Sequence, residues 1–188
     1  MSLRKIPISL TINGERVGPI EVPERLMMID FLHEYVNLTG TKLGCGQGVC
    51  HACAVILDGD DGTSSTVRSC ITGVGFFANR SIRTVEGHAG PNDQDISAYS
   101  GVQRAFLEHY SFQCGYCTPG FVNAATVVIE RLRREPIERD QVEGVVTDAL
   151  NDHICRCTGY VRYHRAVRDL ILSTPGLTRE NADANPDS

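Results

Sequence analysis

The stretch GCGQGVCHAC, residues 44–53, puts three cysteines into one glycine-rich loop, at Cys45, Cys50 and Cys53. Glycines at 44, 46 and 48 rule out regular helix or strand here, so the stretch separates two elements. On its C-terminal side, AVILDG (54–59) reads as a strand ending in an Asp-Gly turn. On its N-terminal side, PERLMMIDFLHEYV (23–36) places Leu26, Ile29, Leu32 and Val36 near helical spacing, with Pro23 at the entry. Further out, KIPISLTING alternates apolar and polar residues and runs into Asn13-Gly14, a strong hairpin signal, with RVGPIEV as the returning strand. Downstream, STVRSCI and SIRTVEG offer two more short strands. Mixed strands with one early helix predict an α+β domain over residues 1–87.

The cysteine spacing then selects the chemistry. Cys45, Cys50 and Cys53 are joined at a distance by Cys70, giving C-x4-C-x2-C plus one remote cysteine, the plant-type ferredoxin spacing for a 2Fe–2S cluster. Such a cluster is anionic, and burying it requires backbone N–H groups aimed at sulfur, which a glycine-rich loop can present. Zinc is open to any four cysteines, although structural zinc sites usually come as two short C-x2–4-C knuckles. Two disulfides would need an oxidising compartment. His51 sits inside the loop; with four thiols already present it is expected as a side chain near solvent rather than a ligand.

A second quartet lies further on. QCGYCTPG supplies Cys114 and Cys117, and ICRCTGY supplies Cys155 and Cys157. Each pair precedes a predicted helix, TPGFVNAATVVIERLRRE capped by Thr118 and TGYVRYHRAVRDLILS capped by Thr158. Two helix N-termini thus converge on one site, where their dipoles favour a negatively charged cluster. CGYC alone resembles a thioredoxin-type dithiol, but that reading leaves CRC unexplained. Two further helical patterns complete the set. SAYSGVQRAFLEHYS carries Tyr99, Val102, Phe106, Leu107 and Tyr110 on one face, and RDQVEGVVTDALNDHI opens with Asp140 and Glu143 in a capping-box arrangement. Four helices joined by short loops predict a bundle over residues 88–175, entered through the polar linker GHAGPNDQDIS (87–97). A polar tail, 176–188, is expected to be disordered.

Composition narrows the rest. The 188 residues are 41% hydrophobic and 22% charged, with 18 Lys+Arg against 23 Asp+Glu for a formal net charge of −5. No basic stretch exceeds RLRRE (131–135), so nothing points to nucleic acid. The N-terminus lacks the apolar core of a secretory signal, and no run reaches the roughly 18–20 apolar residues of a membrane span. The expected compartment is therefore cytoplasmic, with periplasmic export alongside a partner as the alternative. His33, His88, His109, His153 and His164 show no ligand spacing and are expected on surfaces or helix ends.

Taken together, LTGTKLGCGQGVCHACAVILDG, Cys70, QCGYCTPG and ICRCTGY resemble the iron–sulfur subunit of the molybdenum hydroxylases, the xanthine oxidase and aldehyde oxidoreductase family. The resemblance runs from about residue 5 to 172. It implies a β-grasp ferredoxin-like domain followed by a four-helix bundle, each with one 2Fe–2S cluster, the second close to a molybdopterin cytosine dinucleotide held by a large partner subunit. By the same resemblance Gln113 and Cys157 contact that pterin. Electrons would pass from a substrate oxidised on the partner, an aldehyde or N-heterocycle, through both clusters to an FAD-binding or haem c subunit. A free-standing two-cluster electron carrier is the alternative. Two positions depart from the family: relatives mostly have Gly where this chain has His51 and Thr where it has Ala54, so a residue with a Cβ must fit a glycine's place in the loop.

Overall fold

A computed structural model describes residues 4–90, 95–158 and 160–179. The first half is a five-stranded sheet built from β1 (Lys5–Ile12), β2 (Glu15–Pro23), β3 (Ala54–Asp58), β4 (Ser64–Arg68) and β5 (Ser81–Arg83). Its order is β2-β1-β5-β3-β4, with β1 and β5 parallel at the centre and the other pairs antiparallel. One helix, α1 (Met28–Glu34), packs against it, and Leu10, Val22, Phe31, Leu32, Val55 and Ile82 are fully buried between the layers. This is the β-grasp arrangement. Asn13 and Gly14 turn the first hairpin with φ of 53° and 86°, the double positive φ of a type I′ turn, and leave Ile12 opposite Glu15.

Several boundaries differ from the sequence expectation. Pro23 closes β2 instead of opening the helix, and α1 begins five residues later. The intervening chain is committed elsewhere: Leu26 N–H bonds back to the Pro23 carbonyl at 2.9 Å, and Met27 bridges Gly73. Strand β4 ends at Arg68, because Ser69 turns away to donate from both its N–H and its hydroxyl to the Cys53 carbonyl.

The second half is a bundle of α2 (Gly101–Glu108), α3 (Thr118–Arg134), α4 (Val142–Leu150) and α5 (Val161–Ser173). Its core centres on stacked rings: Phe121 lies 4.0 Å from Tyr163 at 3°, and Phe106 meets Tyr163 edge-on at 5.0 Å. Tyr110, expected on the buried face of α2, lies beyond the helix and is 74% exposed. The expected tail is partly built into the fold. Leu177 is buried in the bundle core, and β7 (Thr178–Arg179) pairs in parallel with β6 (Ile137–Glu138). Residues 180–188 and linker residues 91–94 lie outside the described set.

All three helix caps read from sequence are displaced. The capping box before α4 is Glu138 with Gln141, not Asp140 with Glu143. Cys117 rather than Thr118 holds the cap position of α3, and α5 starts after Tyr160 rather than after Thr158. Both threonine hydroxyls have other work: Thr118 pairs with the Tyr163 hydroxyl at 2.7 Å, and Thr158 lies 3.0 Å from the Cys155 sulfur.

Helix α3 packs across β3 and β4, joining the halves. At the join, Arg83 of β5 donates to Asp58 of β3 at 2.7 Å and to Glu130 of α3 at 2.6 Å, each side chain about a quarter exposed. Arg83→Met leaves two facing carboxylates and is expected to cost about 1–3 kcal/mol, below the penalty for a fully buried pair because solvent screens part of it. The Arg83 hydrogen bond, working against burial, holds the Glu130 carboxyl below its ordinary value. Stability from ionised Glu130 is thus complete above the unfolded value of about 4.3 and is lost as pH falls through the lower folded value. Urea melts at decreasing pH should show that loss, and Arg83→Met should flatten it.

Candidate metal centres

The loop after α1 brings the first four thiols together as two pairs. Gly46 and Gly48, with φ of 65° and 71°, curl the chain around Cys45. Its sulfur accepts N–H groups from Gln47 and Val49 at 3.3 Å and from Cys50 at 3.4 Å, while Cys45 N–H donates to the Cys50 sulfur at 3.4 Å. Those backbone donors, Gln47 first, draw the Cys45 thiol down to about 6. Cys53 and Cys70 form the other pair, both buried against Ile29. Burial pushes the Cys53 thiol up to about 12. His51 adopts φ of 56°, the left-handed conformation that glycine takes without strain, so the loop keeps a glycine-type backbone at this departure from the family. Its ring accepts from Arg68 at 3.2 Å.

The second four thiols pair in the same way. Cys114 and Cys157 are exposed, with sulfurs 3.5 Å apart, and Cys117 and Cys155 are buried in mutual contact. Burial lifts the Cys117 thiol to about 12. Burial also raises Cys155, but the Thr158 hydroxyl and N–H outweigh it and the net shift is downward. Tyr163 places its hydroxyl 3.7 Å from Cys117. Gln113 is exposed directly beside Cys114.

Among the described residues no three His, Cys, Asp or Glu side chains converge on a single-ion site. Two pairs per quartet is what a two-iron cluster requires, since each iron takes two protein thiolates. The N–H donors around Cys45 suit its negative charge, so the donor set fits the group. The quartets are also neighbours. One cleft of about 220 Å³ is lined by Cys45, Cys50, Cys114, Cys117, Cys155 and Cys157. Across it Ile154 N–H donates to the Cys50 carbonyl at 3.1 Å, and the Tyr116 hydroxyl donates to the Leu43 carbonyl at 2.7 Å.

Sequence reasoning missed three groups here. His153, expected at a surface, is 3% exposed, 4.7 Å from Phe121 and 5.2 Å from His51. Burial, with His51 nearby, draws it down to about 4, so the ring is neutral. In sequence Tyr163 and Asn123 are only parts of helical patterns; nothing in the spacing marks a hydroxyl for Cys117 or an amide for the other half of the molecule.

Two family models match the chain in succession: a 2Fe-2S iron-sulfur cluster binding domain over residues 10–74 and a [2Fe-2S] binding domain over 84–168. The small subunit of nicotine 6-hydroxylase from Paenarthrobacter nicotinovorans is 37% identical over 172 residues, covering 92% of this chain and 91% of that one. Isoquinoline 1-oxidoreductase subunit alpha from Brevundimonas diminuta is 32% identical, covering 86% and 98%. Among solved structures, quinoline 2-oxidoreductase from Pseudomonas putida 86 superposes with a TM-score of 0.73 at 34% identity, over 92% of this chain and 93% of the matched one. With two 2Fe–2S-binding domains in this order, the protein is an electron-transfer component of an oxidoreductase. The chain belongs to the small iron–sulfur subunits of the molybdenum hydroxylases.

Proposed function

We propose that this chain carries electrons one at a time between a molybdopterin cytosine dinucleotide on a large partner subunit and an FAD-binding or haem c partner. Cys45, Cys50, Cys53 and Cys70 would hold one 2Fe–2S group, and Cys114, Cys117, Cys155 and Cys157 the other. Each group, when bound, supplies a one-electron carrier. The observation that carries this reading is the junction of the two thiol loops: the Ile154 N–H donates to the Cys50 carbonyl, so a path from Cys50 to Cys155 crosses a single hydrogen bond.

The chain's own residues divide the remaining work. Gln47, Val49 and Cys50 direct N–H groups at Cys45 and favour the more negative state of that site. Phe121, Tyr163 and His153 fill the space behind Cys117 and keep water from it. Gln113, exposed next to Cys114 in the chain, and Cys157, exposed with its sulfur 3.5 Å from that of Cys114, would face the pterin. The relatives' names support a substrate drawn from N-heterocycles or aldehydes, oxidised on the large subunit. Among the described residues no helix is long and apolar enough to cross a membrane.

Purification of the native complex tests this. A large co-purifying chain with molybdenum and a pterin dinucleotide, together with FAD or haem c, is the expected result. Isolation of this chain alone, active as a diffusible carrier and with no molybdenum partner, would favour the free-standing carrier.

A further inference from the structure

Asn123 is fully buried in a segment of α3 that is buried all round, between Phe121 and Val122 on one side in sequence and Ala124 and Ala125 on the other. A primary amide in such surroundings needs both its partners, and it has them. Nδ2 donates to the Ala54 carbonyl at 2.7 Å, which leaves Oδ1 to accept from His88 Nε2, also at 2.7 Å. His88 is therefore the Nε2–H tautomer, an assignment fixed by the network. Ala54 directly follows Cys53, and α3 directly follows Cys117. The amide thus ties the helix that begins at one thiol quartet to the strand that leaves the other.

Gly120 lies one turn earlier on the same face. A Cβ there would run into the His51 carbonyl, so α3 meets the loop backbone to backbone. With Ile154 N–H on the Cys50 carbonyl, residues 50–54 are held at three points by the second half of the molecule. Each point adjoins a thiol.

We propose that Asn123 is a positioning residue that sets the separation of the two clusters. It is neither a ligand nor a carrier. Without its donor, the Ala54 carbonyl loses its tie to α3, the loop relaxes away, and coupling between the sites falls. The proposal rests on the two-cluster reading. The clearest probe is the spin–spin splitting in low-temperature EPR of the full chain, loaded with both clusters and fully reduced.

Asn123→Asp keeps the shape and the acceptor for His88 but turns an oxygen toward the Ala54 carbonyl. It is expected to lose much of the splitting while each cluster's own signal persists. His88→Ala removes only the supporting donor and should give a smaller loss in the same direction. Val128→Ala weakens the same helix away from the loop; it should lower Tm and leave the splitting intact. Unchanged splitting in both Asn123→Asp and His88→Ala overturns the proposal, and if Asn123→Asp does not hold both clusters, His88→Ala decides alone. Absence of both EPR signals from the unaltered chain would count against the cluster assignment instead.

Discussion

Replacing Cys155 with serine is expected to remove the bundle cluster, leave the ferredoxin-like one in place and halve the iron and acid-labile sulfide per chain. Cys155 is 6% exposed, contacts Cys117, and is held by the Thr158 hydroxyl at 3.0 Å and its N–H at 3.4 Å. Serine fits that space, but its alkoxide forms far less readily than a thiolate and suits iron–sulfur ligation less well. One of two EPR signals should vanish. Thermal stability should fall as well, because ligand binding to a folded site adds to folding free energy. The reciprocal variant, Cys53→Ser, should remove the other signal. Retention of both iron centres in Cys155→Ser would separate Cys155 from the quartet and reopen the CGYC dithiol reading.

The largest effect on stability is expected at Phe121. Its ring is fully buried, stacked on Tyr163 and 4.7 Å from His153. Truncation to alanine deletes the centre of that stack, at a cost of about 3–5 kcal/mol. The vacancy would open directly behind Cys117, four residues earlier on the same helix face. Loss of the bundle cluster on mild heating should therefore precede global unfolding in Phe121→Ala, whereas the ferredoxin-like signal should survive to the higher temperature. Visible absorption followed against circular dichroism through a thermal ramp measures both.

What the sequence revealed, and what it concealed, follows from how local each signal is. Asn13-Gly14 announces its hairpin because the turn type is set by two residues. The eight cysteines announce two groups of four because their spacing along the chain is itself the signal, and the fold brings the members together in pairs. The helix caps are hidden for a physical reason: Thr118 and Thr158 are good capping residues by type, yet their hydroxyls face Tyr163 and Cys155. Pro23 suits a helix entry by residue type, whereas a turn and a bridge to Gly73 occupy the following residues. Leu177, the one large apolar residue in a polar tail, gives no periodicity, so its burial depends on a surface formed by distant residues. The same holds for His153 and Asn123, whose roles arise only where the two halves meet.

The most direct test of the account is low-temperature EPR of the purified, dithionite-reduced full chain, with iron and acid-labile sulfide measured on the same sample. The account predicts a coloured protein with two distinguishable 2Fe–2S signals and matching iron and sulfide. A colourless protein holding stoichiometric zinc, with no EPR signal on reduction, would contradict it.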